Sequence, residues 1–269
     1  MLGNKYLLSL ILLGLCIGPS IGLLALQQGY IDRQNFDVTG VLPLAPTEGT
    51  DRYELDRRVF RTTRALQNTP RWTMAINDVH TDAQHLMSDF SCATGIVLTP
   101  ERTPRLAALL TRASLDTDGE TSMAKLHFKR LRPFQIDQGP ICQPASDVKN
   151  TYDYPSGHTT LGWTWASILA ELFPERAAQI LARGRAYGES RIVCGVHDAS
   201  AVEAGRISAS ATLAVVRASP AYQTDFAAVR EELVALRSAN ATPDRAQCQA
   251  ESELVAQDIF KSSSEAAVP

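Results

Sequence analysis

From Thr159 to Leu172 the chain places Trp163, Trp165, Ala166, Ile168, Leu169 and Leu172 at helical spacing, with bulky apolar groups almost all the way round. A helix with no polar face has to be covered by protein on every side. This segment therefore predicts a central helix that other elements surround. Apolar–polar alternation long enough to build a sheet is absent from the 269 residues, and so is any internal repeat. The expected fold is all-α, a single-domain helical bundle.

The flanking segments fit that frame. Tyr53, Leu55, Val59 and Phe60 mark a short helix within 51–64. Thr69-Pro70 opens a second, with proline at a tolerated first-turn position and Trp72, Ala75, Ile76 and Val79 on one face. Thr103-Pro104 opens a third over Leu106, Leu109 and Leu110. The stretch from Asp116 to Glu120, with Gly119, reads as a break before a further helix over 122–129. Arg132 precedes Pro133 and should sit at a helix exit. Pro174 opens a helix expected to end near Gly188 to Ser190; an Ala-rich helix follows over 199–216 and a last one over 226–236. The layout is an extended arm over 23–50, a helical domain over 51–237, and a polar tail over 238–269 apart from Leu254 to Phe260.

Lys5, the apolar run from Tyr6 to Ile17 and Ser20-Ile21-Gly22 have the form of a signal peptide cut after residue 22. The alternative, an uncleaved anchor reaching residue 26, stays open because Leu23 to Leu26 prolong the apolar run. Removal of the leader takes Cys16 with it and leaves Cys92, Cys142, Cys194 and Cys248. An even set in an exported chain predicts two disulfides with three pairings open; buried free thiols are the other reading. A net charge of -3, from 26 basic and 29 acidic residues, excludes a nucleic-acid polymer as the expected partner.

Against that mildly acidic background, cations and histidines concentrate between Lys125 and His197. Lys125 and Arg132 lie seven apart, so both face one cleft if their helix persists. Ser156, Gly157 and His158 stand where a loop turns into the central helix, whose first N–H groups lack internal partners and favour an anion. Arg191 adds a planar fork suited to phosphate oxygens. His197 and His158 can divide nucleophile and acid roles without a metal. His80 and His85 are five apart with no evident third ligand, so they read as surface or packing histidines; no metal or cofactor is expected.

These motifs resemble the bacterial class A non-specific acid phosphatases, within the wider type 2 phosphatidic acid phosphatase superfamily. The signature is Lys, six residues, Arg-Pro, here Lys125 to Pro133; then Pro-Ser-Gly-His, here Pro155 to His158; then Ser-Arg, five residues, His, here Ser190-Arg191 to His197. Thr69-Pro70-Arg71-Trp72, Gly162-Trp163 and Tyr187-Gly188 also look like the class A subgroup. The resemblance implies a periplasmic or secreted helical enzyme acting on small phosphomonoesters. It implies Lys125, Arg132, Ser156, Gly157 and Arg191 around phosphate, His197 as the nucleophile that becomes phosphohistidine, and His158 as general acid. No membrane partner is expected after leader cleavage, and a homo-oligomer is left open; a lipid phosphatase anchored by an uncleaved leader is the alternative.

One position departs from the signature. It closes with an aspartate four residues after the nucleophile, and this chain has Ala201. That aspartate fixes the histidine tautomer, so its loss points to a weakened or binding-only homologue, or to a carboxylate arriving from elsewhere. Asp198, Ser200 and Glu203 are the nearby candidates. If 197–201 is helical, Ala201→Asp should raise turnover, because residues four apart share a face.

Overall fold

A computed structural model describes residues 28–32, 36–237 and 241–261; the leader or anchor expected at 1–26 lies outside them. The helices are α1 (Asp51–Thr63), α2 (Pro70–Asn77), α3 (Ala83–Thr94), α4 (Pro104–Phe128), α5 (Pro133–Ile136), α6 (Gly157–Leu172), α7 (Ala177–Val193), α8 (Ala199–Val216), α9 (Pro220–Arg237) and α10 (Arg245–Ala256). Among the described residues there is no strand, and no helix is long and apolar enough to cross a membrane.

The central helix is α6, packed on α4, α7 and α8. Its Trp165, Ile168, Leu169 and Leu172 join Leu86, Phe90, Leu106, Leu110, Leu213 and Val229 in one core. Each such side chain contributes about 1.5–3 kcal/mol by leaving water. Trp163 is only half-buried, and its indole N–H donates to Ser210 Oγ at 3.1 Å. At the α6–α8 crossing a side chain on Gly205 would come within 2.7 Å of the Ser156 carbonyl. The absence of one lets α8 lie against the start of α6.

The chain starts its helices where the sequence marks them. Thr50, Thr69, Asp82 and Ser156 accept from backbone N–H groups in the first turns of α1, α2, α3 and α6. Three expectations change. The predicted break at 116–120 does not occur, and α4 is continuous. Its buried Asp116 and Glu120 turn inward to hold the arm, accepting from Tyr30 N at 2.6 Å and Val38 N at 3.1 Å. Helix α7 runs past Gly188 to Val193, which puts Arg191 on its last turn. The polar tail contains α10, joined to α3 by the Cys92–Cys248 disulfide, with Arg185 donating to Val255 O at 2.7 Å. Beyond it Ile259 is buried in a second apolar cluster with Trp72 and Val193.

Candidate active site

Three chain reversals build the site. In the first, α4 ends with Lys129 in the left-handed region (φ 50°), its N–H returning to Lys125 O at 3.0 Å. The chain then runs extended to Arg132, which caps α5. Lys125 and Arg132 are thus brought together by this turn, and the helix does not persist between them. In the second, the loop from 137 returns to Ser156, whose Oγ caps α6 and whose N–H donates to Ala201 O at 2.9 Å. In the third, α7 gives way to a turn at Gly195 (φ 78°), where a side chain would also collide with Arg64. Arg64 fills the end of α7, donating to Ile192 O at 2.7 Å, Val193 O at 2.8 Å and Pro140 O at 2.6 Å. The Cys142–Cys194 disulfide joins the same turn to the second loop. His197 N then folds back on Arg191 O at 3.3 Å, placing the two signature residues side by side.

His197 is buried, and its two ring nitrogens face opposite environments. Arg132 Nη1 lies 3.1 Å from Nε2. A guanidinium can only donate, so Nε2 accepts and carries no proton. The proton is then on Nδ1, which donates to Asp153 Oδ1 at 2.9 Å. Burial first, then the charges of Arg132, Lys125 and Arg191, hold the ring well below the usual imidazole pKa, so it is neutral.

His158 Nε2 lies 3.0 Å from Val79 O, an acceptor only, so Nε2 carries the hydrogen and Nδ1 is the exchangeable position. Burial and then Arg191 lower its pKa too. Burial and then Arg132 push Lys125 down to about 7; its Nζ rests on Tyr152 O at 2.5 Å. Arg191 is fully buried and donates to Gln143 Oε1, while its Nε and second amino group have no partner. Gly157 stands beside Lys125, where an added side chain would lie 3.9 Å from Cε. Ser156 Oγ accepts from Thr159 Oγ1 at 2.9 Å as well as capping, so only its own hydroxyl hydrogen is left to donate.

Behind His197 is a second charged cluster, of which sequence reasoning named only Asp198 and Ser200. Arg130 meets Asp56 at 2.8 Å, Asp198 at 3.0 Å and Asp153 at 3.6 Å, all four groups buried. Its Nη1, which faces Asp153, donates to Ser200 Oγ at 2.6 Å. Further out, Arg71 and Asp78 both hold Ser190 Oγ, at 2.9 and 2.5 Å, so the signature serine is scaffolding for the turn that carries Arg191. The only sequence signals were the closeness of Asp153 to Pro155 and of Arg130 to Arg132.

Position 201 is not on a helical face shared with His197, because α8 begins at Ala199. Ala201 is fully buried in an apolar cluster with Val38, Tyr154 and Ala204. The expected gain from Ala201→Asp therefore loses its basis. Asp82 does join His80 and His85, correcting the expectation that no third group is near. The two imidazoles stack at 4.3 Å with 18° between planes, Asp82 Oδ1 caps α3, and Asp82 Oδ2 lies 2.7 Å from His85 Nδ1.

The chain matches the family model of the PAP2 superfamily over residues 105–225. It is 38% identical over 208 residues to an acid phosphatase of Zymomonas mobilis, covering 77% of this chain and 79% of that protein. It is 34% identical to the non-specific acid phosphatases of Salmonella typhimurium and Providencia stuartii. Those matches cover 71% and 76% of this chain and 78% and 84% of the relatives. The chain belongs to the bacterial class A non-specific acid phosphatase family of the PAP2 superfamily.

Proposed function

We propose that this chain is a metal-independent acid phosphatase that hydrolyses phosphomonoesters through a phosphohistidine at His197. The observation that carries the reading is a neutral His197 with unprotonated Nε2 facing Arg132, in the field of an Arg191 that holds two unpartnered donors. Buried donors without partners are rare, and a phosphate dianion or monoanion would satisfy them.

The sequence of steps follows from the protons. Nε2 attacks phosphorus as the P–O bond to the alcohol breaks, and the leaving oxygen takes the bond pair and a proton from His158 Nδ1. The arriving anion offsets the cations that depress the His158 pKa and so favours its protonated form. Arg132, Arg191, Lys125 and the first N–H groups of α6 meet the charge on the phosphoryl oxygens. Water then gives a proton to the now neutral His158 and attacks phosphorus as the P–Nε2 bond breaks; the bond pair returns to Nε2 and inorganic phosphate leaves. A cavity of about 420 Å³ beside Gly157 and His158, lined by Thr81, Thr111, Asp118, Leu115 and Leu161 among others, leaves room for a small leaving group. Two disulfides fit an exported, periplasmic or secreted protein.

The test is trapping. With an aryl phosphate substrate and a strong chelator present throughout, acid-free quenching and mass spectrometry should find phosphate on His197, and His197→Ala should abolish both label and turnover. Label on Ser156, or a rate lost to the chelator, would overturn the mechanism.

A further inference from the structure

We propose that Asp153 is the positioning residue for His197, supplying from the loop before α6 the carboxylate that the signature places at position 201. This rests on the reading of His197 as the nucleophile.

The other candidates are engaged elsewhere. Ser200 gives both its N–H and its hydroxyl to Asp56. The Asp198 carboxylate faces Arg130, and the exposed Glu203 pairs with Arg52. Ala201 contributes only its carbonyl, to Ser156 N. Asp153 alone among them meets the ring, Oδ1 to Nδ1 at 2.9 Å, from a fully buried position.

Its own placement is fixed from several sides. Asp153 N–H donates to Arg130 O at 2.9 Å, and Asp198 N–H donates to the same Oδ1 at 3.2 Å. Arg130 Nη1 stands 3.6 Å from Oδ2. Arg130 is in turn held by Asp56, which belongs to α1. A carboxylate from the loop, a guanidinium from the turn after α4 and a carboxylate from α1 thus form one brace behind the imidazole.

The consequence is chemical as well as geometric. When Nε2 bonds to phosphorus the ring becomes cationic with its Nδ1 proton retained, and Asp153 stabilises that charge without taking the proton. An orienting carboxylate of this kind is worth roughly 10⁴ in turnover in the serine-protease case. Because it acts on orientation and on charge that develops during transfer, its loss should appear in kcat and not in ground-state binding.

The experiment compares Asp153→Asn with wild type on 4-nitrophenyl phosphate and measures inhibition by inorganic phosphate. Expected is a fall in kcat of roughly 10²–10⁴-fold, with KM and phosphate inhibition within about threefold of wild type. An unchanged kcat would overturn the proposal, as would an equal loss of kcat and phosphate affinity. Should Asp153→Asn not fold, ¹⁵N-edited NMR of wild type decides: the His197 resonances should show the proton on Nδ1, and a proton on Nε2 would overturn the role. His197→Ala separates the two layers. Activity retained in that variant refutes the nucleophile itself, whereas activity lost there but kept in Asp153→Asn refutes Asp153 alone.

Discussion

Arg191 and Arg130 are both buried arginines close to His197, and their surroundings push them in opposite directions. Burial lowers the pKa of Arg130, but Asp153, Asp198 and Asp56 outweigh it and raise the value. Among the described residues Arg191 has no carboxylate in contact; burial pushes it down to about 10, and two of its donors are unpartnered. An arginine with its anions already in place holds a fold together, while one without them is prepared for an anion that has yet to arrive. The imidazole of His197 is the boundary between the two regimes.

The contrast breaks most visibly through Arg130. Replacing it with methionine leaves three buried carboxylates without their cation, a loss of about 3–5 kcal/mol. In a chain of this size that is roughly 6 °C or more in Tm, read by thermal unfolding under circular dichroism. A Tm within about 2 °C of wild type would show that the acid cluster does not depend on Arg130.

Arg191→Met should do the reverse. Removal of a donor aimed at the developing charge costs about 10²–10³ in kcat/KM. Tm should hold or rise, because the substitution removes buried donors that have no partner. A Tm loss matching that of Arg130→Met would erase the distinction between the two.

The smallest effect tests the proposed phosphate-facing side. Lys125, with its pKa near 7, is charged below that pH and neutral above it. Its contribution to phosphate affinity is therefore full at pH 5–6 and declines as pH rises above 7, through the higher pKa that the bound anion gives the amine. Phosphate inhibition of Lys125→Met should be about tenfold weaker than wild type at pH 5.5, and the gap should narrow as pH rises above 7. A constant ratio across that range would mean that the lysine keeps its charge.

The grouping of residues on this side was legible in the sequence. Lys125, Arg132, Ser156, Gly157, His158, Arg191 and His197 lie in three short motifs whose spacing is local. The opposite side was not, because Asp56, Arg130 and Asp153 come from separate segments and meet only in the tertiary fold. The same limit explains the misread helix: Asp116, Gly119 and Glu120 look like a break along the chain, yet in α4 the two acids face the arm and are satisfied by its amides. Gly188 likewise reads as an end, although α7 continues because the backbone there packs closely on Thr159 of α6. The α10 helix was hidden in a polar stretch because its partners, α3 across a disulfide and Arg185 of α7, are remote in sequence.

The Cys142–Cys194 bond has a topological consequence. Its two ends are 52 positions apart, and Asp153, Ser156, Gly157, His158 and Arg191 all lie between them. These residues therefore sit on a covalent ring, with His197 three residues outside it. A protease that cuts the loop within that ring once leaves two pieces still joined through sulfur. A nicked enzyme would migrate as one species until it is reduced, and its severed halves would separate only then.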